Sequence, residues 1–251
     1  MVMTGRSKPI TAPAGGNSIG EIQPRRDIIA TWNTLKRSDP NFQRLQLRLL
    51  SILALLRHGN KMALSELADR AAELTGSQRA SIRDMIYRRQ EGSPRAGYFS
   101  LVKEEDEYKM AISLRGASLL YIAGNLLRPF YFCKAGESHH RFIAGKNSIS
   151  LPDGTREAIA GCNGFEVADL AFIVFASLQG GINDTQVRFN IYTSGHGRNA
   201  EEKQSYIKGR IGTLLESGFI LESGEKSPWI KIYSITDKGK RFADAFYHLL
   251  C

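Results

Sequence analysis

One pattern occurs twice in this chain, and a duplicated pattern restricts the possible folds more tightly than composition does. The first copy opens with the basic segment SQRASIRDMIYRRQ from Ser77, then passes through the turn-rich EGSPRAG. It continues as two strand-like runs, Tyr98–Lys103 and Tyr108–Ser113, on either side of the acidic tip EEDE, and a helix starts at SLRGASLLYIAG. The second copy runs through YIKGRIGTLLES, GFILE, a turn at SGEKSP, WIKIYS and a closing helix at ITDKGKRFADAFYHLL. Gly97-Tyr98 aligns with Gly218-Phe219 and Gly116 with Gly239, so the second hairpin is the longer one. Each copy reads as helix, hairpin and closing helix.

A chain of 251 residues, 42% hydrophobic, is long enough for one or two domains with real cores, and the two copies favour two. No apolar run approaches the roughly 18 residues of a membrane span, and Met1–Ile10 lacks the apolar h-region of a signal peptide. The expectation is a cytoplasmic protein with no membrane partner. Cys133, Cys162 and Cys251 form neither a disulfide framework nor a CxxC site. The formal net charge of +9 is unevenly spread: +3 over residues 1–42, +4 over 43–127, +2 over 128–164 and 0 over 165–251. A basic arm and first module beside a neutral second module imply a division of labour, in which the first holds a polyanion.

Residues 1–24, rich in Gly, Pro, Ser and Thr, are expected to be a disordered arm. Over 25–42, Ile28, Ile29, Trp32 and Leu35 fall at helical spacing, and this short helix packs on its own module or on a second subunit. The first module, 43–127, begins with a helix whose inner face is Leu45, Leu49, Ile52, Leu53 and Leu56, stopped at Gly59-Asn60. A second helix follows through ALSELADRAAEL. Thr75-Gly76-Ser77 makes a tight turn with Ser77 as the expected N-cap of the third. Three helices so joined match the helix-turn-helix, whose last helix enters the major groove of DNA.

In that third helix, Ile82, Met85 and Ile86 share the inner face, while Ala80, Arg83, Asp84, Tyr87 and Arg88 point outward and Arg79 flanks the N-terminus. Arginine grips phosphate or guanine bidentately, and a small residue such as Ala80 lets a helix settle deep in a groove. Candidate DNA contacts are therefore Arg79, Ala80, Arg83, Tyr87 and Arg88; the competing reading is a solvated helix face. Asp84 opposes DNA unless it orients an arginine, and Gln78 reads as a cap or buttress. The acidic tip Glu104–Glu107 would repel a phosphate backbone. That leaves Arg95, Lys103 and Lys109 near the wing base, with Arg25 and Arg26 in the arm, as further phosphate contacts.

Residues 128–164 read as a connector with short β runs at RPFYFCK, HHRFIAG and SISLPDG. Cys133, His139, His140 and Cys162 lack the spacing of a zinc site, so no metal or other cofactor is expected. Catalytic patterns are likewise missing: there is no GxSxG, P-loop or HExxH, and Asp153 with Glu157 lacks the lysine a nuclease motif needs. The second module, 165–251, starts with FEVADLAFIVFASLQGG, has Asn183 or Asp184 as an N-cap, and carries Ile207, Ile211, Leu214 and Leu215 inward on its third helix. Outward lie Ser205, Lys208, Gly209, Gly212 and Thr213. The glycines call for close approach of another surface, either a partner protein or DNA. Thr236 caps a final helix whose Phe242, Phe246, Leu249 and Leu250 share one face.

GFILESGEKSPWIKIYSITDKGKRFADAF resembles the wing and closing helix of bacterial winged-helix regulators of the MarR and PadR type, in which a hairpin leads into a T-x-K-G helix start. Here those residues are Thr236, Lys238 and Gly239, after Ile235; the first copy keeps Ser113 and Gly116 and has Arg115 for the lysine. The likeness covers most of 43–127 and 165–251. It implies an α+β, mainly α chain of two winged-helix modules joined by a short β-rich connector. The function expected from it is sequence-specific binding of double-stranded DNA without catalysis, by a homodimeric bacterial or mobile-element transcription regulator found with the nucleoid when bound. Tandem winged helices also occur in plasmid replication initiators, and in kleisin-binding subunits of chromosome-condensing complexes, which tend to be acidic. The alternatives of another class are an adaptor whose winged helices bind protein partners, and a nuclease built on the connector.

Overall fold

In the computed structural model, which describes residues 32–33, 42–92, 97–132, 154–192, 199–227 and 230–250, the chain is α+β and mostly helical, with small antiparallel sheets. Helix α1 (Leu47–Leu55) buries Leu47, Leu49, Leu50, Ile52 and Leu53, so it runs through the core and not along its surface. Helix α2 (Leu64–Thr75) buries one stripe, Leu67, Ala68, Ala71 and Leu74, and ends at Gly76, which takes the left-handed conformation at φ 62°. Helix α3 (Arg79–Tyr87) follows directly and buries Ile82, Met85 and Ile86. Strands β1 (Phe99–Glu104) and β2 (Glu107–Ile112) pair antiparallel in register from Phe99↔Ile112 to Glu104↔Glu107. Glu105 and Asp106 between them both have positive φ, as a two-residue hairpin turn requires. Helix α4 (Leu114–Phe132) closes this half.

Helix α5 (Thr155–Ala160) leads into the second half. There follow α6 (Val167–Gln179), β3 (Ile182–Asn183), a helical turn α7 (Asp184–Gln186) that continues as a π-helical turn Val187–Ile191, and α8 (Ala200–Glu216). Strands β4 (Ile220–Ser227) and β5 (Ile230–Ile235) and helix α9 (Asp237–Leu250) complete it. The second sheet has the order β3-β5-β4, with Ile182 opposite Tyr233. The first half repeats this in miniature: Met62 bridges Met110 of β2 through two backbone hydrogen bonds of 3.1 and 2.7 Å. The order of helix, short strand, two helices, hairpin and closing helix therefore occurs twice.

The two copies agree down to single hydrogen bonds where the hairpin meets its closing helix. Ser113 Oγ donates to the Gly97 carbonyl at 2.5 Å and accepts from the Gly116 amide at 3.1 Å. Thr236 Oγ1 donates to the Gly218 carbonyl at 2.6 Å and accepts from the Gly239 amide at 3.0 Å. Arg115 lies over the Tyr98 ring at 5.2 Å and Lys238 over the Phe219 ring at 5.4 Å. The expected N-cap Thr236 is confirmed, and Asn183 is likewise a cap, accepting from the Gln186 amide at 2.9 Å.

A short antiparallel bridge joins the two copies. The Leu47 amide donates to the Phe165 carbonyl and the Val167 amide to the Leu45 carbonyl, each at 2.9 Å, so Gln46 and Glu166 face each other across an antiparallel bridge. Closing helix α4 packs on α1 of its own copy and α6 of the other; α9 packs on α6 of its own copy and on α1 of the other. The buried side chains of both halves consequently join one hydrophobic core. Trp32 is fully buried with its ring edge-on to Phe42 at 6.0 Å, so this part of the N-terminal segment packs on the chain's own core.

Two expectations fail. The connector was read as β runs, but 128–132 belongs to α4 and Thr155–Ala160 is helical. Buried Leu119, Leu120, Ala123, Leu126 and Leu127 hold α4 on the core up to the point where the connector was expected to begin, and the helix continues past it. The runs HHRFIAG and SISLPDG fall outside the described residues, apart from Gly154. Ser77 does not cap α3: Gln78 holds the N-cap position without a side-chain bond, and Ser77 Oγ donates to Asn163 Oδ1 at 2.7 Å. Asn163 also donates to the Thr75 carbonyl, so the turn between α2 and α3 is tied to the connector and not to its own helix.

Candidate functional site

Helix α3 owes its position to three buried residues. With Ile82, Met85 and Ile86 turned inward, Ala80, Arg83, Asp84, Tyr87 and Arg88 are all exposed, as helical periodicity requires. Arg83 has no ion-pair or hydrogen-bond partner among the described residues, and Tyr87 is 51% exposed. Arg79, in contrast, is held by Asp69 of α2 at 2.7 Å. Its charge is partly answered within the protein.

The β1–β2 hairpin is also internally paired. Lys103 meets Asp106 at 3.3 Å, and Lys109 meets Glu104 at 3.2 Å, with Lys61 on the same carboxylate at 2.6 Å. Hydrogen bonds from Lys61 and then Lys109 hold the Glu104 carboxyl below the usual range. The acidic tip thus recruits the two wing lysines that sequence reasoning offered to phosphate. Arg95, Arg25 and Arg26 lie outside the described residues.

Beside α3 the structure opens a cleft of about 820 Å³ that sequence reasoning missed. Among the described residues five arginines line it, Arg44, Arg48, Arg88, Arg89 and Arg115, with Asp84 as the one carboxylate. They come from three places: the approach to α1 and its first turn, the end of α3, and the first turn of α4. Arg48 donates to Gln46 Oε1 at 2.6 Å and Ser81 Oγ at 3.1 Å, while Arg89 and Arg115 stand over the Tyr98 ring at 5.9 and 5.2 Å. The signals in the sequence were the basic balance of residues 43–127 and the substitution of Arg115 at the conserved place in the repeat, but only the fold brings Arg44 and Arg48 to α3.

In the second copy, α8 buries Ile207, Ile211 and Leu214, with Leu215 half-buried. Ser205, Lys208 and Gly209 are exposed and Gly212 is half-buried. A Cβ at Gly209 or Gly212 would meet nothing within 4 Å, so neither glycine is required by packing inside this chain. Replacing either by alanine is expected to stabilise the protein by about 0.8 kcal/mol, read as a rise in the urea midpoint at unchanged slope. A loss of stability would mean that the helix needs glycine there for an internal reason.

Polar groups hold α8 to the start of α6. Asp169 is fully buried and accepts from Arg210 through both carboxylate oxygens, from the Tyr192 hydroxyl at 2.8 Å and from the Glu166 amide at 2.6 Å. Tyr206 donates to Glu166, whose carboxyl is raised above its usual range chiefly by burial. Cys162 is buried and its thiol is pushed up to about 12 by desolvation, which makes it a packing residue and not a nucleophile. Cys133, His139 and His140 lie outside the described residues. No helix among the described residues is long and apolar enough to cross a membrane.

Scans against protein-family models, curated proteins and solved structures each give no significant match to this chain.

Proposed function

We propose that this chain is a double-stranded DNA-binding protein of two winged-helix modules, acting without catalysis as a transcription regulator, with α3 inserted in the major groove. The observation that carries the reading is the outer face of α3: Ala80, Arg83, Tyr87 and Arg88 stand exposed on a helix set by a tight turn at Gly76, with a wall of arginines beside it. Arg83 and Arg88 have the reach and the donors for base edges or phosphates. Ala80 leaves room for the groove. Arg79 and the wing lysines, already paired with Asp69, Asp106 and Glu104, contribute less to binding in this reading.

The second copy takes a different role. On its third helix the face of Ser205, Lys208, Gly209 and Gly212 offers one positive charge against the several of α3, and its glycines give a flat approach. Such a face suits a protein surface, either a second copy of the chain or another partner, better than a phosphate backbone.

The test is selection from a random duplex pool at two salt concentrations, with sequencing of the retained DNA. The wild type is expected to enrich a defined site. Arg83→Ala and Arg88→Ala should each weaken binding to that site by about 2 kcal/mol, roughly thirtyfold. Binding seen only at low salt, with no site enriched and no effect of either substitution, rejects groove reading by α3.

A further inference from the structure

We infer that the outer face of α4 is a contact surface for a second copy of this chain, with the two α4 helices packed antiparallel about a two-fold axis between Ala117 and Ser118. Gly116, Leu119, Leu120 and Ala123 turn inward, which leaves Leu114, Ala117, Ser118 and Tyr121 on one outward stripe at the spacing of successive helical turns. Leu114 is 86% exposed and Tyr121 64%, and among the described residues no other large apolar side chain is as exposed as Leu114. The fold does not demand apolar residues there. Aligning Gly116 with Gly239 sets Leu114, Ala117, Ser118 and Tyr121 against Asp237, Lys240, Arg241 and Asp244 of α9. One closing helix carries a charged outer face, as a helix turned to water does; the other has no charge at the same four positions.

The stripe is complementary to itself. Its large residues stand at the ends and its small ones in the middle, so an antiparallel two-fold pairing places Leu114 beside the partner's Tyr121 and Ala117 beside the partner's Ser118. Small side chains at the crossing let the helix axes approach to about 8 Å, and a leucine against a ring closes the contact at either end. The Ser118 hydroxyl already donates to the Leu114 carbonyl at 2.9 Å, so covering it strands no donor. Electrostatics favours the same partner. Two copies of a chain of net charge +9 repel one another, and a face uncharged at all four positions is where they approach with least repulsion. A nucleic acid or an acidic peptide would meet no cation within the stripe. Four side chains from each copy cover less than the roughly 800 Å² per partner of a stable interface, so the association is weak and reversible.

The experiment is analytical sedimentation of the full chain from about 1 to about 500 μM, a range that brackets a weak dimer, with circular dichroism to confirm folding. It compares the wild type with Leu114→Asp/Tyr121→Asp, which gives α4 the residues that α9 carries at the matching positions. The control is Phe189→Asp, which removes an exposed apolar side chain from the second half. Ser118→Arg, matching Arg241 at the middle of the stripe, replaces the double variant if that variant fails to fold. The wild type is expected to move from the monomer mass toward the dimer mass as concentration rises. A dissociation constant weakened at least about tenfold in the α4 variant, and changed by less than about twofold in the control, supports the inference. A wild type that keeps the monomer mass to the top of the range overturns it, and the stripe then serves a different protein or another part of this chain. Equal dimerisation of the wild type and the α4 variant, or equal loss in the α4 and Phe189 variants, overturns it as well. No step of this test involves DNA, so its outcome is independent of groove reading by α3.

Discussion

Gly239→Ala is expected to destabilise this protein by about 3 kcal/mol, and Gly116→Ala by a similar amount. A methyl group at Gly239 would run into the Phe219 carbonyl oxygen and the Ile235 side chain; at Gly116 it would meet the Tyr98 carbonyl oxygen, Ile112 and Leu53. The obstacle in each case is backbone that is itself bonded. The Phe219 carbonyl accepts from the Thr236 amide and the Tyr98 carbonyl from the Ser113 amide, both at 3.1 Å, so neither can withdraw without losing the link between hairpin and closing helix. For a chain of this size the loss corresponds to a melting temperature about 6–12 °C lower, readable by differential scanning calorimetry. Gly209→Ala supplies the internal contrast, because the same chemical change in an exposed helix is expected to raise stability. If both substitutions acted alike, the glycines of the closing helices would owe their place to something other than close approach.

The aligned glycines, the Ser113/Thr236 pair and the Arg115/Lys238 pair were all readable in the sequence, because each is a local device whose partners lie within about twenty residues of it. The inner face of α3 was legible for the same reason: Ile82, Met85 and Ile86 declare a helical stripe without help from the rest of the chain. What escaped depends on contacts distant in sequence. The bond from Ser77 to Asn163 spans 86 residues and removed the expected cap; the Gln46 and Glu166 bridge joins the two copies. The arginine cleft gathers Arg44, Arg48, Arg88, Arg89 and Arg115 from three elements, and no spacing announces it. Nor did the wing lysines reveal that the acidic tip beside them would claim their charge.

Asp169→Ala should cost about 4 kcal/mol, more than either closing glycine, because it strands an arginine whose side chain is only 15% exposed. Burial alone would lower the Arg210 guanidinium, but its bonds to Asp169 and the nearby Glu166 hold it above its ordinary value; arginine is basic enough to stay charged without Asp169, so the variant leaves a buried cation that has lost its bonded carboxylate. The first copy contains the remedy. At the offset of 120 that sets Gln46 opposite Glu166, Asp169 corresponds to Leu49, and matching Ile207 and Ile211 of α8 to Ile82 and Ile86 of α3 sets Arg210 against Met85. One copy has buried apolar side chains at these positions, the other an ion pair. Asp169→Leu/Arg210→Met, with Tyr192→Phe to remove the hydroxyl that loses its acceptor, should therefore recover most of the loss, since a buried pair exchanged for hydrophobic residues is often neutral. Unfolding in guanidinium of the single and triple variants measures this, and a triple variant as unstable as Asp169→Ala would mean the polar cluster is needed for the packing of α8 itself. The cluster also sets a pH limit. Burial, then the Asp169 charge, raises the Tyr192 phenol well above its ordinary value, and burial likewise raises Tyr206 and Tyr233. A phenol that keeps its proton when folded contributes its full stability below about pH 10 and loses it as pH rises further, because the unfolded chain ionises first. Stability should begin to fall above about pH 8.5, where the Cys162 thiol ionises in the unfolded chain, and fall more steeply between about pH 10 and 11, the latter step being smaller in the triple variant, from which Tyr192 and its acceptor have both been removed.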